Sequence, residues 1–508
     1  MTDVQPPEPT TPASDASVSD DDALPVIGLS PTEAAIANAV ALLSGPGLEV
    51  PDVVPDPEIV EQTWSAEVRL ALQARRAGLE GKRVGLAISG GGALGSFEAG
   101  ALRFLYDHIQ ITPVAICGNS AGALNAAKLA EGDGPDGERV IDAIEATWRS
   151  LRINPDMWEP EPWLVRLMAS ASWAAAIRGH ITGTPSSGSA TNAVRVAVRV
   201  VGTLAKRPPA ADGTLEAVRD AMEAQSLLSL APVAELIEKR LDPERVAASG
   251  ITLRIGTVAL ESGDLRYVGE TGHLYDRDNQ VLDIEPVRLA DGILASASIP
   301  VAFPPVQLGD EHYVDGGARE ILPLELLVEH LGVQRAFAIS AGTATIEPAS
   351  SFANRNLLDI LRRVSAEIAT NETLRKELSP PGGWGDDVTL IVPDIDVHDA
   401  MTIDPALIAI SVDYGWLRAA DVVLGLEGTP RTLSTEITRT RIALRRLAGP
   451  LPSLFGAAES PIPAKAEDPD TWVDGEATLT ARLREQVTAR RDLGAPLPPS
   501  LTHWLAHG

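Results

Sequence analysis

Two segments in the first quarter of the chain share one pattern, and that pattern restricts the fold more than any other feature. "RVGLAI" is a β-branched, apolar run that stops at the glycines of "SGGGALG", and "GSFEAGALRFLYDH" follows with helical spacing. "PVAICGN" then reads as a second strand, and "SAGALNAAKLAE" as a second helix. Strand–helix alternation predicts a parallel sheet covered by helices. Further strands are expected at "ITLRIGTVAL", "LRYVG", "RAFAISA" and "DVTLIVP", and one helix over "EIVEQTWSAEVRLALQARRAG".

Gly90, Gly92 and Gly95 spell G-x-G-x-x-G, the spacing of a dinucleotide loop. That fold needs an acid at the tip of the next strand to hold the ribose hydroxyls. Here the next strand ends in Asn119 and Ser120, so the dinucleotide reading fails. What stands at the tip is "GNSAG", Gly118 to Gly122, a G-x-S-x-G at a strand-to-helix junction. A nucleophile on so sharp a turn needs small residues two positions either side, because strand and helix approach closely there. Adjacent parallel strands open at one sheet edge, which brings Gly90, Gly91 and Gly92 beside Ser120. Amides exposed by such a turn can stabilise an oxyanion.

A serine hydroxyl needs a base at neutral pH. Of the histidines after Ser120, only His398 in "PDIDVHDAM" follows a late strand, and it reads as an exposed loop histidine. The chain order also conflicts with an α/β-hydrolase, which places several strands before its elbow, whereas one precedes this one. The other candidate is Asp315 in "YVDGGARE", at the end of a short strand with two glycines behind it. Taken alone, an ordinary Asp-Gly hairpin turn explains that segment as well.

"SGGGALG", "GNSAG" and "ILASASIPVAFPPVQLGDEHYVDGG" together, in this order, resemble the patatin-like phospholipases. The resemblance runs from Val84 to Gly425 and implies a three-layer α/β/α fold with a largely parallel central sheet and a helical insertion. It also implies a Ser–Asp dyad, with Ser120 as nucleophile, Asp315 as base and Gly90, Gly91 and Gly92 as the oxyanion loop. The activity implied is hydrolysis of a lipid or other acyl ester through an acyl-enzyme, without a cofactor. An acyltransferase or a non-hydrolytic scaffold on the same fold is the alternative. One position departs: Leu94 stands where the family carries Arg or Lys, which removes a charge from the loop. A free aspartate, with a pKa of about 3.9, is a poor base near neutrality, so the dyad requires Asp315 to be buried.

The formal net charge of −28 argues against a nucleic-acid partner, whose phosphates would be repelled. Cys117 is the single cysteine, so no intramolecular disulfide forms, in keeping with a reducing compartment. No secretory signal and no apolar run of membrane-spanning length is evident, and a cytoplasmic chain with peripheral membrane contact is expected. "DPDTWVDGE" has Trp at the fifth position of an EF-hand-like run, which breaks the calcium pattern. No Cys/His metal cluster exists.

The chain divides into an acidic, Pro-rich leader over 1–56, expected to be disordered, a catalytic domain over 57–425, and a helical C-terminal region with a Pro-rich linker over 426–508. Within the catalytic domain, about 147–250 reads as a helical insertion carrying Trp148, Trp158, Trp163 and Trp173. Those tryptophans either dock on lipid or fill the insertion's own core. The basic helix Arg439 to Arg446 reads as a solvated face.

Overall fold

The computed structural model describes residues 45–48, 55–169, 223–346, 351–352, 360, 363–449, 451–453, 456–457 and 475–507. The leader, Trp173, the EF-hand-like segment and the Pro-rich linker lie wholly or largely outside those residues.

Five parallel strands form the centre of a mixed sheet. β1 (Val84–Ile88) lies between β2 (Pro113–Gly118) and β8 (Arg335–Ile339), β9 (Val388–Ile391) pairs with β8, and β3 (Thr252–Ala259) pairs with β2. β4 (Leu265–Gly269) and β5 (Leu274–Tyr275) extend the β3 edge antiparallel. β6 (Val306–Leu308) forms a hairpin with β7 (Glu311–Asp315), which runs antiparallel along β3.

The two faces of this sheet are covered by separate cores. In β1, Val84, Leu86 and Ile88 enter one apolar cluster, and Ala87 enters the other. Alternate residues point to opposite faces, so a strand buried on both sides reads as one continuous apolar run. Helices α3 (Gly95–Phe104), α4 (Ala121–Glu131), α5 (Val140–Ser150), α6 (Ala231–Arg240) and α7 (Leu289–Ala297) contribute to the first cluster, and residues 322–331 with α8 (Ala369–Leu378) to the second. The architecture is therefore three-layer α/β/α around a largely parallel sheet, as the sequence implies.

The single helix expected near residues 58–78 is two, α1 (Pro57–Glu61) and α2 (Ala66–Leu79). Ser65 breaks them apart: its Oγ accepts from Val68 N at 3.2 Å as the cap of α2, satisfying a donor that the first turn leaves unpaired. Its own N–H donates to Gly494 O at 2.9 Å.

Helix α9 (Pro405–Val423) is buried nearly all round, the mark of a core helix. It crosses α3 in backbone contact: a Cβ at Gly100 would lie 1.7 Å from Val412 O, and one at Gly415 1.8 Å from Phe97 O. Helix α10 (Thr429–Leu447) follows. Its Arg441 and Arg445 are buried and pair with Asp413 and Asp404 of the preceding segment. The solvated face expected for this basic helix holds for Arg439 and Arg446 but not for those two. Ion pairs thus cross the boundary that the sequence suggests at residue 425.

Candidate active site

Strand β3 brings the two key loops together. Along one edge, β2 pairs with its first half, ending at Gly118 opposite Ile255, and β7 pairs with its second half, ending at Asp315 opposite Thr257. The chain ends of β2 and β7 therefore meet at Gly256. No side chain fits there, since a Cβ on Gly256 would lie 2.1 Å from Asn119 Oδ1.

Ser120 caps α4 with φ 52° and ψ −123°, a conformation a non-glycine residue adopts at a cost of about 1–3 kcal/mol. The neighbouring glycines make this turn feasible. A Cβ on Gly118 would strike Gly122 O at 2.5 Å, and one on Gly122 would strike Ser89 O at 2.3 Å. Two side chains hold the elbow. Ser296 Oγ accepts from Ser120 N at 2.9 Å and donates to Gly256 O at 2.7 Å. Asn119 Oδ1 accepts from Gly256 N at 3.1 Å, and its Nδ2 donates to Glu320 O at 2.6 Å. The sequence offers a signal for both only in hindsight: Asn119 lies inside the G-x-S-x-G, and Ser296 inside "ASASIP".

Asp315 ends β7 and caps a tight turn over Gly316–Ala318, accepting from Gly317 N at 2.7 Å. The Asp315–Gly316 step is thus not the turn of a hairpin; the β6–β7 turn lies at the other end of β7. The nearby Ser120 side chain favours the charged form of the Asp315 carboxyl. Only 4% of Ser120 and 5% of Asp315 is exposed. Burial pushes the Asp315 carboxyl up to about 6, against the opposing pull of the Gly317 and Ser120 donors. The burial that the sequence requires of Asp315 is present.

The glycine loop packs directly on the elbow, since a Cβ on Gly90 would lie 3.0 Å from Ser120 Cβ. Gly90 N donates to Ile321 O at 3.2 Å, so its contribution is close approach. The amides of Gly91 and Gly92 have no protein acceptor among the described residues. Gly92 adopts φ +55°, with a Cβ position 2.5 Å from Ala400 O. Behind this arrangement, Glu377 Oε1 and Oε2 accept from Ile321 N and Leu322 N, each at 3.0 Å.

A segment from late in the chain closes over the loop. Ala400 O accepts from Ala93 N at 2.8 Å. Asp399 shapes the turn that presents it, accepting from Met401 N at 2.8 Å and Thr402 Oγ1 at 3.0 Å. Ile403 N donates to Asn154 Oδ1 at 2.8 Å, and Arg445 Nε grips both Asp404 oxygens at 3.0 Å. His398 belongs to this segment and is buried, not exposed as its loop setting suggests. Its Nδ1 lies 2.8 Å from Asp399 O, and burial holds its pKa below the usual imidazole range.

The sequence model of the patatin-like phospholipases matches residues 86–328, a span that begins within β1 and takes in Ser120 and Asp315. Residues 86–328 belong to the patatin-like phospholipase family. The patatin-like domain is accordingly a lipid hydrolase at the level of its family. Among solved structures, the chain is similar to VipD from Legionella pneumophila, with 16% identity, 84% of this chain and 79% of that chain covered, and a TM-score of 0.32. Human GIVD cytosolic phospholipase A2 gives 11% identity, 57% and 48% coverage, and a TM-score of 0.26. The type III effector protein ExoU gives 14%, 72% and 60%, and 0.25. No curated protein sequence matches the chain significantly.

Other features of the patatin-like domain are settled by burial. Trp148, Trp158 and Trp163 are all buried in the core, so these three do not form a lipid-facing surface. Leu94 of the glycine loop is also buried. Among the described residues, no cluster of His, Cys, Asp or Glu could hold a metal ion, and no helix is long and apolar enough to cross a membrane.

Proposed function

We propose that the chain is a serine-dependent lipid acyl hydrolase working through a Ser120–Asp315 dyad and an acyl-enzyme. Asp315 takes the Ser120 proton as Oγ attacks the ester carbonyl carbon. The carbonyl oxygen gains the negative charge and is held by the amides of Gly91 and Gly92. Collapse of this intermediate breaks the bond to the alkoxide, which leaves with the proton from Asp315. Water then attacks the acyl-Ser120 ester, giving its proton to Asp315, and the fatty acid departs as Ser120 recovers a proton.

The observation that supports this reading is a buried elbow serine near a carboxyl whose pKa burial pushes up to about 6, with the glycine loop packed on the elbow at Gly90 and its Gly91 and Gly92 amides without protein acceptors among the described residues. A base is most useful when its pKa lies close to the working pH. Pre-oriented amide donors are each worth about 100- to 1,000-fold in rate. The substrate lies at a lipid surface, which the chain meets by peripheral contact.

Intact-mass analysis after a fluorophosphonate probe tests the dyad. One adduct is expected on the native chain, none on Ser120→Ala, and slower labelling on Asp315→Asn. An adduct retained by Ser120→Ala, or Asp315→Asn labelling at the native rate, would refute it.

A further inference from the structure

An open apolar cleft lies beside α4, walled by Leu124, Ile144, Trp148, Ile237 and Ile293 and reaching Lys128. Such an apolar lining suits an apolar ligand group. Leu124 and Lys128 lie one turn apart along one face of α4, four and eight residues beyond Ser120 at its cap. Two further links run from the cleft walls to the elbow. Ile293 precedes by three residues the Ser296 whose Oγ holds Ser120 N. The Trp148 indole packs where the glycine loop meets α4, since a Cβ on Gly95 would lie 2.6 Å from the indole and 2.9 Å from Ala121 Cβ. Asn125 fixes that ring by accepting from Trp148 Nε1 at 2.9 Å.

We propose that this cleft receives the acyl chain of the substrate and limits its length, an inference that rests on the hydrolase reading above. An alkyl chain leaving the Ser120 ester would pass Leu124 between Trp148 and Ile293. Its far end meets charge: Lys128 Nζ donates to Glu131 Oε2 and to Arg240 O, both at 2.8 Å. Eight residues of helix place Lys128 about 12 Å beyond Ser120. A methyl terminus that reached the ammonium would strip water from it without offering a partner, which is unfavourable. The substrate class is therefore esters of medium-chain fatty acids.

The test measures kcat/KM on p-nitrophenyl acetate, octanoate and palmitate for the wild type, Ile293→Phe and Lys128→Leu. Lys128→Leu leaves Glu131 paired, because Arg245 Nη1 holds it at 2.6 Å and Asp242 N at 3.3 Å. The wild type should prefer octanoate. Ile293→Phe narrows the cleft and should lower the octanoate-to-acetate ratio about tenfold, and Lys128→Leu should raise the palmitate-to-octanoate ratio about tenfold. Labelling by a small fluorophosphonate shows that each variant retains a folded site. Ratios that stay fixed in both labelled variants, or a wild type that prefers palmitate, would overturn the cleft while leaving the dyad standing. A wild type that neither labels nor hydrolyses any ester would overturn the hydrolase reading and the cleft with it.

Discussion

Replacing Asp315 with asparagine should make the protein more stable at neutral pH while stopping turnover. In the native chain burial raises the Asp315 pKa from 3.8 to about 6. Between those values the native state holds a proton that the unfolded chain has released. The stability this group contributes is therefore complete below pH 3.8 and is lost as pH rises through 6. At about 1.4 kcal/mol for each pKa unit, the loss at pH 7 is about 3 kcal/mol. Asparagine carries no charge to desolvate, and its Oδ1 can still accept from Gly317 N. Asp315→Asn should thus melt about 3 °C above the wild type at pH 7 for a chain of this size. The gap should close toward pH 4. Other buried carboxyls, including Glu320 at about 7 and Glu377 at about 8, titrate in both chains and cancel in the difference. Thermal melts of both proteins from pH 4 to 8 supply the measurement. A gap that did not vary with pH, or a variant less stable at pH 7, would refute the claim that burial sets this carboxyl.

Ester hydrolysis should rise tenfold per pH unit below about 6 and level off above it, as Asp315 becomes the ionised base; a pH–rate profile of kcat/KM that is flat from 5 to 8 contradicts this. Ser296→Ala leaves Ser120 N and Gly256 O buried without partners, so it should cost about 1–3 kcal/mol in urea denaturation and slow fluorophosphonate labelling. Arg445→Met strands the buried Asp404 carboxylate, which should cost about 3–5 kcal/mol. Because Asp404 ends the segment that presents Ala400 O to Ala93 N, labelling should slow at temperatures where this variant remains folded, and an unchanged labelling rate would separate that segment from the loop.

The parallel core was legible because both signals that specify it are local. The runs at β1, β2, β3, β8 and β9 are apolar on two faces, and glycine marks where the first two end. Asp315 was legible through its neighbours, as "DGG" after a short strand. Its burial was not, because that depends on β7 and β2 meeting on β3, a pairing between distant segments. The same limit explains His398, Arg441 and Arg445. Their local settings are polar, and only the packing of α9 and α10 onto the first sheet face buries them. Ser65 is the opposite case, a local cap signal inside an otherwise continuous helical pattern.

Backbone contact at Gly100, against Val412, and at Gly415, against Phe97, makes the gap between α3 and α9 a dimension on which the proposed chemistry depends. α3 begins at Gly95, where the glycine loop ends, so any side chain added at this crossing would lever α3 outward and draw the glycine loop away from Ser120. The setting is shared between a residue inside the family match and one well beyond it. A fragment cut to the matched span would keep Ser120 and Asp315 and lose the surface against which the glycine loop is set.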